Sequence, residues 1–520
     1  MSEVARRLAV KAIERGYQLS AEALDRLLRD ENPLGLLDEL LAWLEDRRTS
    51  QVIIDKPTLE LFLASRVARA GAPEEEQPLE IVLESPTYED LAIEGVAEEQ
   101  RIYLLSRFQS IRRVFEERGL SIRPAKELMR EGGEGYVVGM VLSIVRRDTH
   151  FLVEMEDPVD TWSLIAPTRD RALAAKMEYI LQDMVVVFRA RSRRGLLVAS
   201  DVYLPDTAGK KQTWRGSDKN ICIISDLHIG SEKHAAERFR SFLDWISGPD
   251  NEAEKTILLI VNGDLVDGVY VYPGQESELS LKSYAEQFAA AAKTLSRIPE
   301  RVKIVYVPGN HEPCRKALPQ PPVQARYRQL LGGGGRIVYA GNPAWIRVGA
   351  LKILAFHGQT LDDVIQAGTL FSYSTLHERS SEMMELLLKA RHLAPALGLS
   401  TPILPTRTDY LAIPEQPDIL CLGHTHVAAY TTYKGTQLVN SGSWQEQTKL
   451  QESIGLEPTV GAAVLLNLKS LSLPILLDRP DGRGVDGFSQ APKLHRIIYR
   501  GLAVLKAVWR PLGKGGLNGR

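Results

Sequence analysis

Cysteine is scarce in this chain: there are three in 520 residues, Cys222, Cys314 and Cys421, and no two have CxxC spacing. That excludes a disulfide framework and fits a reducing, cytoplasmic setting. No stretch approaches the ~20 uninterrupted apolar residues a membrane span needs, so no membrane association is expected. The first residues, MSEVARRLAVKAIERGY, lack the apolar centre of a signal peptide and read instead as an amphipathic helix. Internal repeats are absent. Net charge is small, −2, which hides local asymmetry. At this length one core is not enough, and several domains are expected.

Five apolar runs end in the same kind of residue. The run from Ile221 leads into Ser225-Asp226-Leu227-His228. Ile257 to Val261 leads into Asn262-Gly263-Asp264-Leu265-Val266-Asp267. Val302 to Val307 leads into Pro308-Gly309-Asn310-His311-Glu312. Leu351 to Phe356 leads into His357-Gly358, and Asp418 to Leu422 into Gly423-His424-Thr425-His426. Such runs read as buried strands. In extended backbone Asp226 and His228 would leave the same face, and a carboxylate beside an imidazole is half of a metal site. Glycine beside most of these residues lets the chain turn sharply and approach an ion or phosphate. Ligands of α/β sheets collect beyond the carboxyl ends of the strands, so the five tips are expected to meet. Five of the ten histidines fall inside these motifs, too many for satisfied core histidines.

In this order the motifs resemble the calcineurin-like metallophosphoesterase family. The resemblance implies that Asp226, His228 and His426 hold one divalent metal ion and that Asn310, His357 and His424 hold a second, with Asp264 bridging them. Hard oxygen and imidazole donors suit Mn²⁺ first, with Fe or Zn²⁺ as alternatives. Two ions clamp a phosphoryl group and acidify water, so no protein nucleophile is needed. The resemblance also makes His311 a non-ligand facing the leaving oxygen, and Asp267 the carboxylate that orients it as a general acid. Glu312 is expected to be structural.

The rest of the chain gives a multidomain α+β expectation. Residues 1–70 show helical spacing, with Ser20 as a helix cap; a small bundle without chemistry and a docking module are both open. Residues 71–130 read as an acidic linker and connecting helix, since 71–100 hold ten acidic residues and no Lys or Arg. In 131–210 the period becomes two, and the order of three strands, a helix and two strands is that of an OB-type β-barrel. Arg189, Arg191 and Arg193 alternate onto one barrel face. Nucleic-acid contact and an ordinary solvent-facing strand are both consistent with that. Residues 211–478 form the calcineurin-like α/β/β/α sandwich. The tail, 479–520, carries nine Lys or Arg against two acids.

The preceding barrel, the continuations GDLVDGVYVYPGQ and GNHEPCRKALPQPP, and the insertion with LDDVI, MMELLLKARHLAP and TDYLAIPEQPDI together resemble the small-subunit family of archaeal DNA polymerase D. That resemblance implies a proofreading 3′–5′ exonuclease acting on single-stranded or mismatched DNA 3′ ends. It also implies a heterodimer with a large catalytic polymerase subunit, and it admits the sliding clamp as a further partner. The insertion near Arg391 to Pro395 and the barrel are the expected contact surfaces. Related eukaryotic B subunits keep the fold but have lost metal ligands, whereas every ligand position is filled here. The rivals are a scaffold subunit without catalysis, a repair nuclease and a protein phosphatase.

Overall fold

The computed structural model describes residues 3–15, 17–30, 32–46, 53–71, 80–209, 217–332 and 334–469, with three short strands beyond them. The chain divides into two units, Met1–Leu79 and Glu80–Arg520.

In the first unit, helices occupy Glu3–Glu14, Ala21–Leu27, Pro33–Asp46 and Lys56–Gly71, where the apolar spacing puts them. Ser20 Oγ accepts from the Ala23 amide at 3.1 Å and satisfies an orphan donor at the start of the second helix. Leu8, Leu27, Leu37, Leu40, Leu44 and Leu59 are buried between the helices. A two-residue parallel pairing of Gln18–Leu19 with Ile53–Ile54 has no counterpart in the sequence reading.

The second unit corrects the linker expectation at its first residues. Ile81–Glu84 is a strand paired antiparallel with Ala344–Val348. Acidic composition masks it, yet Ile81, Val82 and Leu83 are β-formers. On a sheet edge Glu84 stays in water, 3.1 Å from Arg347. Residues 72–79, the rest of the acidic stretch, lie outside the described residues, as does the basic tail apart from the strands Arg496–Ile498 and Ala503–Leu505.

Five strands, Gly133–Arg146, His150–Glu156, Thr161–Pro167, Val185–Arg193 and Leu196–Tyr203, close into a barrel, with the helix Arg171–Met177 between the third and fourth. The expected basic face is partly neutralised within the barrel itself. Glu134 sits across from Arg191 in the ladder and pairs with Arg189 at 2.6 Å and Arg191 at 2.8 Å. The strand period shows the arginines, but not the acid on the neighbouring strand.

Two six-stranded sheets follow. One runs Ile337–Tyr339, Lys303–Val307, Thr256–Asn262, Asn220–Ile224, Val464–Asn467, Ile475–Leu476. The other runs Ala429–Tyr433, Thr436–Asn440, Ile419–Leu422, Leu351–Ala355, Ala344–Val348, Ile81–Glu84. Cys222, Ile224, Leu259 and Val261 pack one face of the first sheet against the helices Ala236–Ser247 and Tyr284–Leu295. Leu376–Ala390 covers the second sheet through Met383 and Leu387, which cluster with Leu420 and Leu438. Asn262 Nδ2 donates to the Phe356 carbonyl at 2.9 Å, and Ser225 Oγ meets Ser441 Oγ at 2.8 Å, tying the sheets together beside the strand ends. The same core runs on into the barrel through Leu164, Leu181 and Phe188, so barrel and sandwich fall in one unit. No described helix is long and apolar enough to cross a membrane.

The segment expected to face a partner is instead buried. Arg391 and His392 are 6% and 2% exposed, and Leu393 and Ala394 are fully covered. The helix Ala97–Glu117 lies over it, and Arg107 donates to the Ala394 and Pro395 carbonyls at 3.1 and 2.7 Å. His392 Nδ1 accepts from the Ala394 amide at 2.9 Å, so its proton is on Nε2, 2.7 Å from Asp409 Oδ2. Burial, with Arg107 nearby, lowers the His392 pKa below the ordinary histidine value. A folded-state value below the unfolded one gives stability that is complete above pH ~6.5 and is lost as pH falls. Urea midpoints between pH 7.5 and 5 should therefore drop. The drop should be smaller in His392→Gln; an equal pH slope in both would show that His392 is not the group being charged.

Candidate metal centre

All five motif loops leave the carboxyl ends of their strands and converge where the two sheets meet. The ligand-type residues are not extended, contrary to the D-x-H expectation. Asp226, His228, Asp264, His424 and His426 have φ between 50° and 66°, in the left-handed region. Each such non-glycine residue costs about 1–3 kcal/mol, and the surrounding bonds hold it there. The Asp226 amide donates to the Gly263 carbonyl and the His228 amide to the Asp264 carbonyl, both at 3.0 Å, which locks the first two loops together. Two glycines are required by space. A Cβ on Gly263 would run into the His357 ring, and one on Gly309 into the Asp264 carboxylate.

Three groups of side chains bring ligand atoms within reach of a common point: Asp226, His228, His426; His228, Asp264, His311; and Asp264, His357, His424. His228 Nε2 and His426 Nε2 face each other at 3.1 Å, and His426 Nε2 is 3.3 Å from Asp226 Oδ1. On the other side Asn310 Oδ1 lies 3.1 Å from His357 Nε2 and 3.0 Å from His424 Nδ1. Asp264 Oδ2 sits between, 3.2 Å from His357 Nε2 and 3.9 Å from His228 Nε2. The structure thus brings together all seven residues expected as ligands.

The far side of each ring is anchored. His357 Nδ1 donates to the Asn262 carbonyl at 3.0 Å. His228 Nδ1 is 3.0 Å from Asp267 Oδ1, His424 Nε2 is 2.8 Å from Asp362 Oδ2, and Gln451 Nε2 reaches His426 Nδ1 at 2.8 Å. The oxygen acceptors on the outer nitrogens of His357, His228 and His424 fix ring orientation for metal binding. The inner nitrogens of His228 and His426 converge on each other in a buried site, an arrangement that a cation between them would satisfy. The residues fit a divalent metal pair.

The Asp267 expectation needs correction. Its carboxylate serves His228, while His311 Nδ1 donates to the backbone carbonyl of Asp267 at 2.6 Å. Residue spacing brings Asp267 near both rings but does not say which one its side chain meets. Burial pushes His311 down to about 4, so it is neutral near pH 7 with an unprotonated Nε2, rather than a standing imidazolium. That Nε2 is 3.9 Å from Asp264 Oδ2, and the His311 amide donates to Asp264 Oδ1 at 2.9 Å.

Burial would raise the Asp264 carboxyl, but His357 and His311 outweigh it and hold Asp264 well below the usual carboxylate range. Against the effect of burial, Asp264 carries His357 up to about 10. A metal ion held by His357 would then have to displace its proton. Glu312 accepts from the Leu265 and Gly309 amides and Tyr306 Oη, each at 2.7 Å, and from the Asp264 amide at 3.2 Å. It pins the second and third loops together, and burial followed by Asp264 raises it to about 7.

Sequence reasoning missed Asp362. It lies on the insertion helix Leu361–Ala367, and His424, with burial opposing, holds its carboxyl below the ordinary value. Its only signal was the LDDVI string. Asp362→Ala should weaken divalent-metal binding about 10–100-fold, the usual effect of losing such a partner. Calorimetric Mn²⁺ titration reads this directly, and wild-type affinity in the variant would remove Asp362 from the support of the site.

The family model describing the B subunits of DNA polymerases alpha and epsilon matches residues 221–432. The chain is 31% identical over 473 residues to the DNA polymerase II small subunit of Archaeoglobus fulgidus, covering 87% of this chain and 94% of that one. It is 30% identical over 474 residues to the protein of the same name from Thermoplasma acidophilum, covering 88% and 90%. Among solved structures, an archaeal phosphodiesterase superposes with a TM-score of 0.25 at 14% identity, covering 50% of this chain and 99% of that one. At that TM-score the likeness carries no functional weight. The relatives span both units, and their shared name is unambiguous: the chain belongs to the archaeal DNA polymerase II small-subunit family.

Proposed function

We propose that the chain is the proofreading 3′–5′ exonuclease of a two-subunit replicative polymerase, removing nucleotides from single-stranded or mismatched DNA 3′ ends beside a large catalytic subunit. One observation carries the reading: every ligand position is filled, and Asp226, His228, Asp264, Asn310, His357, His424 and His426 converge, with the outer nitrogens of the four imidazoles already bonded. A scaffold subunit has no need of five strained backbone positions around one cluster of donors.

Asp226, His228 and His426 would hold one ion, Asn310, His357 and His424 the other, and Asp264 both, with Mn²⁺ the expected metal. When bound, such ions clamp a phosphoryl group, neutralise its charge and acidify water. The protein's own proton chemistry falls to His311. Its Nδ1–H is committed to the Asp267 carbonyl, so Nε2 is the free nitrogen. An anionic phosphodiester beside it would raise its proton affinity, so Nε2 would take a proton from solvent water and give it to the 3′ leaving oxygen. Asp267 acts one ring away, holding His228. The barrel, which we take as OB-type, has committed Arg189 and Arg191 to Glu134, which favours a protein-contact role over single-strand binding on that face.

The test is the purified two-subunit complex with Mn²⁺ on a primer with a 5′ label and a mismatched 3′ end. Stepwise shortening that stops when EDTA is added supports the reading. A primer that stays full length while polymerization proceeds would make the chain a scaffold.

A further inference from the structure

An open cavity of about 580 Å³ adjoins the loops that carry Asp267 and His311, and the proposed chemistry does not use it. Val269 and Tyr270 line it, directly after Asp267 and Gly268, with Lys282, Tyr284, Arg326 and Tyr327. Its volume is in the range of clefts that hold small organic groups, about 300–1,000 Å³. Tyr284 Oη donates to the His311 carbonyl at 3.3 Å, so this wall is continuous with the loop that carries the proposed acid.

Tyr270 is the unusual member. It is 81% exposed, with φ of 59°, in the left-handed region. An aromatic residue there is an outlier, and nothing in its own burial repays the strain. The loop is built to keep it in place. Gln275, fully buried, accepts from the Val271 amide at 2.8 Å and donates to the Asp267 carbonyl at 2.7 Å and to Asp267 Oδ2 at 3.1 Å. The Gln275 side chain that holds the backbone next to Tyr270 thus also grips the carboxylate behind His228. Lys282 and Arg326 are exposed at the same cavity, and the Arg326 guanidinium lies 4.7 Å from the Tyr327 ring centre.

We infer that this cavity is a stacking subsite for an unpaired base of the DNA strand being trimmed, with Tyr270 as its aromatic platform and Lys282 and Arg326 meeting the adjoining phosphates. The inference rests on the exonuclease reading and deepens it by naming what the site recognises. Sequence-tolerant single-strand binding combines an aromatic face for the base with cations for the backbone. A frayed or mismatched 3′ end supplies an unstacked base, whereas a paired end does not. The subsite therefore makes the mismatch part of substrate recognition.

Removing one stacking ring weakens single-strand binding by about tenfold, within the usual range per base. With the two-subunit complex and Mn²⁺, Tyr270→Ala should raise KM on a single-stranded oligonucleotide by about that factor with kcat near wild type. Tyr270→Phe should behave as wild type, because the ring and not the hydroxyl stacks. On an oligonucleotide with two abasic 3′ nucleotides, wild type and Tyr270→Ala should have the same KM. Hydrolysis of bis(p-nitrophenyl) phosphate and metal content should be unchanged. An unchanged KM on the ordinary oligonucleotide, or an equal loss on the abasic one, would overturn the subsite. Quenching of a 3′-terminal 2-aminopurine by the complex reads stacking without cleavage. Quenching present in wild type and lost in Tyr270→Ala, with no cleavage by either, would sink the exonuclease reading and leave the subsite standing. Cleavage with equal quenching in both would do the reverse.

Discussion

Asp264→Ala is expected to lose metal from both halves of the site and, with it, exonuclease activity. Asp264 belongs to two of the three clusters of ligand-type side chains. Its Oδ2 lies 3.2 Å from His357 Nε2 and 3.9 Å from His228 Nε2, and its Oδ1 takes the His311 amide. Among the seven ligand-type residues it is the one placed between the two halves. The change should exceed the 10–100-fold typical of losing an outer partner, because a ligand itself is gone. Asp264→Asn keeps the shape and the acceptor for the His311 amide but removes the charge that sustains His357, so it separates loss of charge from loss of fold. Elemental analysis and the exonuclease rate should fall together in both variants. Full metal content with full activity in Asp264→Asn would place the ions elsewhere.

His311→Ala and Asp267→Asn should fail in different ways. His311 has its Nδ1 held by a backbone carbonyl and is 14% exposed at the side chain. Its removal should leave metal content intact and slow cleavage by about 10²–10⁴-fold, the usual worth of a positioned acid. Asp267 is buried and holds His228 with Gln445 Nε2 at 3.0 Å on the same oxygen. Burial would raise its carboxyl and lower His228, but their contact outweighs burial on both sides, keeping Asp267 low and His228 high. Asp267→Asn should therefore cost metal affinity about 10–100-fold, and excess Mn²⁺ should restore much of the rate. Excess Mn²⁺ should not rescue His311→Ala. Partner polymerization should survive in both, so mismatched ends would be extended. Metal loss in His311→Ala would make it a ligand, and a metal-independent defect in Asp267→Asn would return Asp267 to His311.

The difference between these two residues marks what a sequence can carry. Buried parallel strands read as unbroken apolar runs because both faces are covered, so the tips at Asp226, Asp264, Asn310, His357 and His424 were visible. The barrel's strand-helix order was visible for a similar reason, through the period-two alternation of its walls. Side-chain partnership was not. Asp267 is near two imidazoles, and its carboxylate meets His228 while only its backbone carbonyl meets His311. Asp362 supports His424 from 62 residues away on an inserted helix, where no local spacing connects them. Ile81–Glu84 was hidden by acidic neighbours, since composition over thirty residues outweighs a four-residue strand whose partner, Ala344–Val348, is distant in sequence. The Arg391 to Pro395 segment looked like an interface because it was distinctive, whereas its distinctiveness comes from Arg107 and Asp409 packing against it.

One cluster should hold two divalent ions. Anomalous difference density from crystals of the full chain soaked in Mn²⁺ tests it most directly. Two peaks are expected, one among Asp226, His228 and His426 and one among Asn310, His357 and His424, with the Asp264 carboxylate between them and no ligand bond from His311. A single peak, or none within reach of these side chains, would contradict the account.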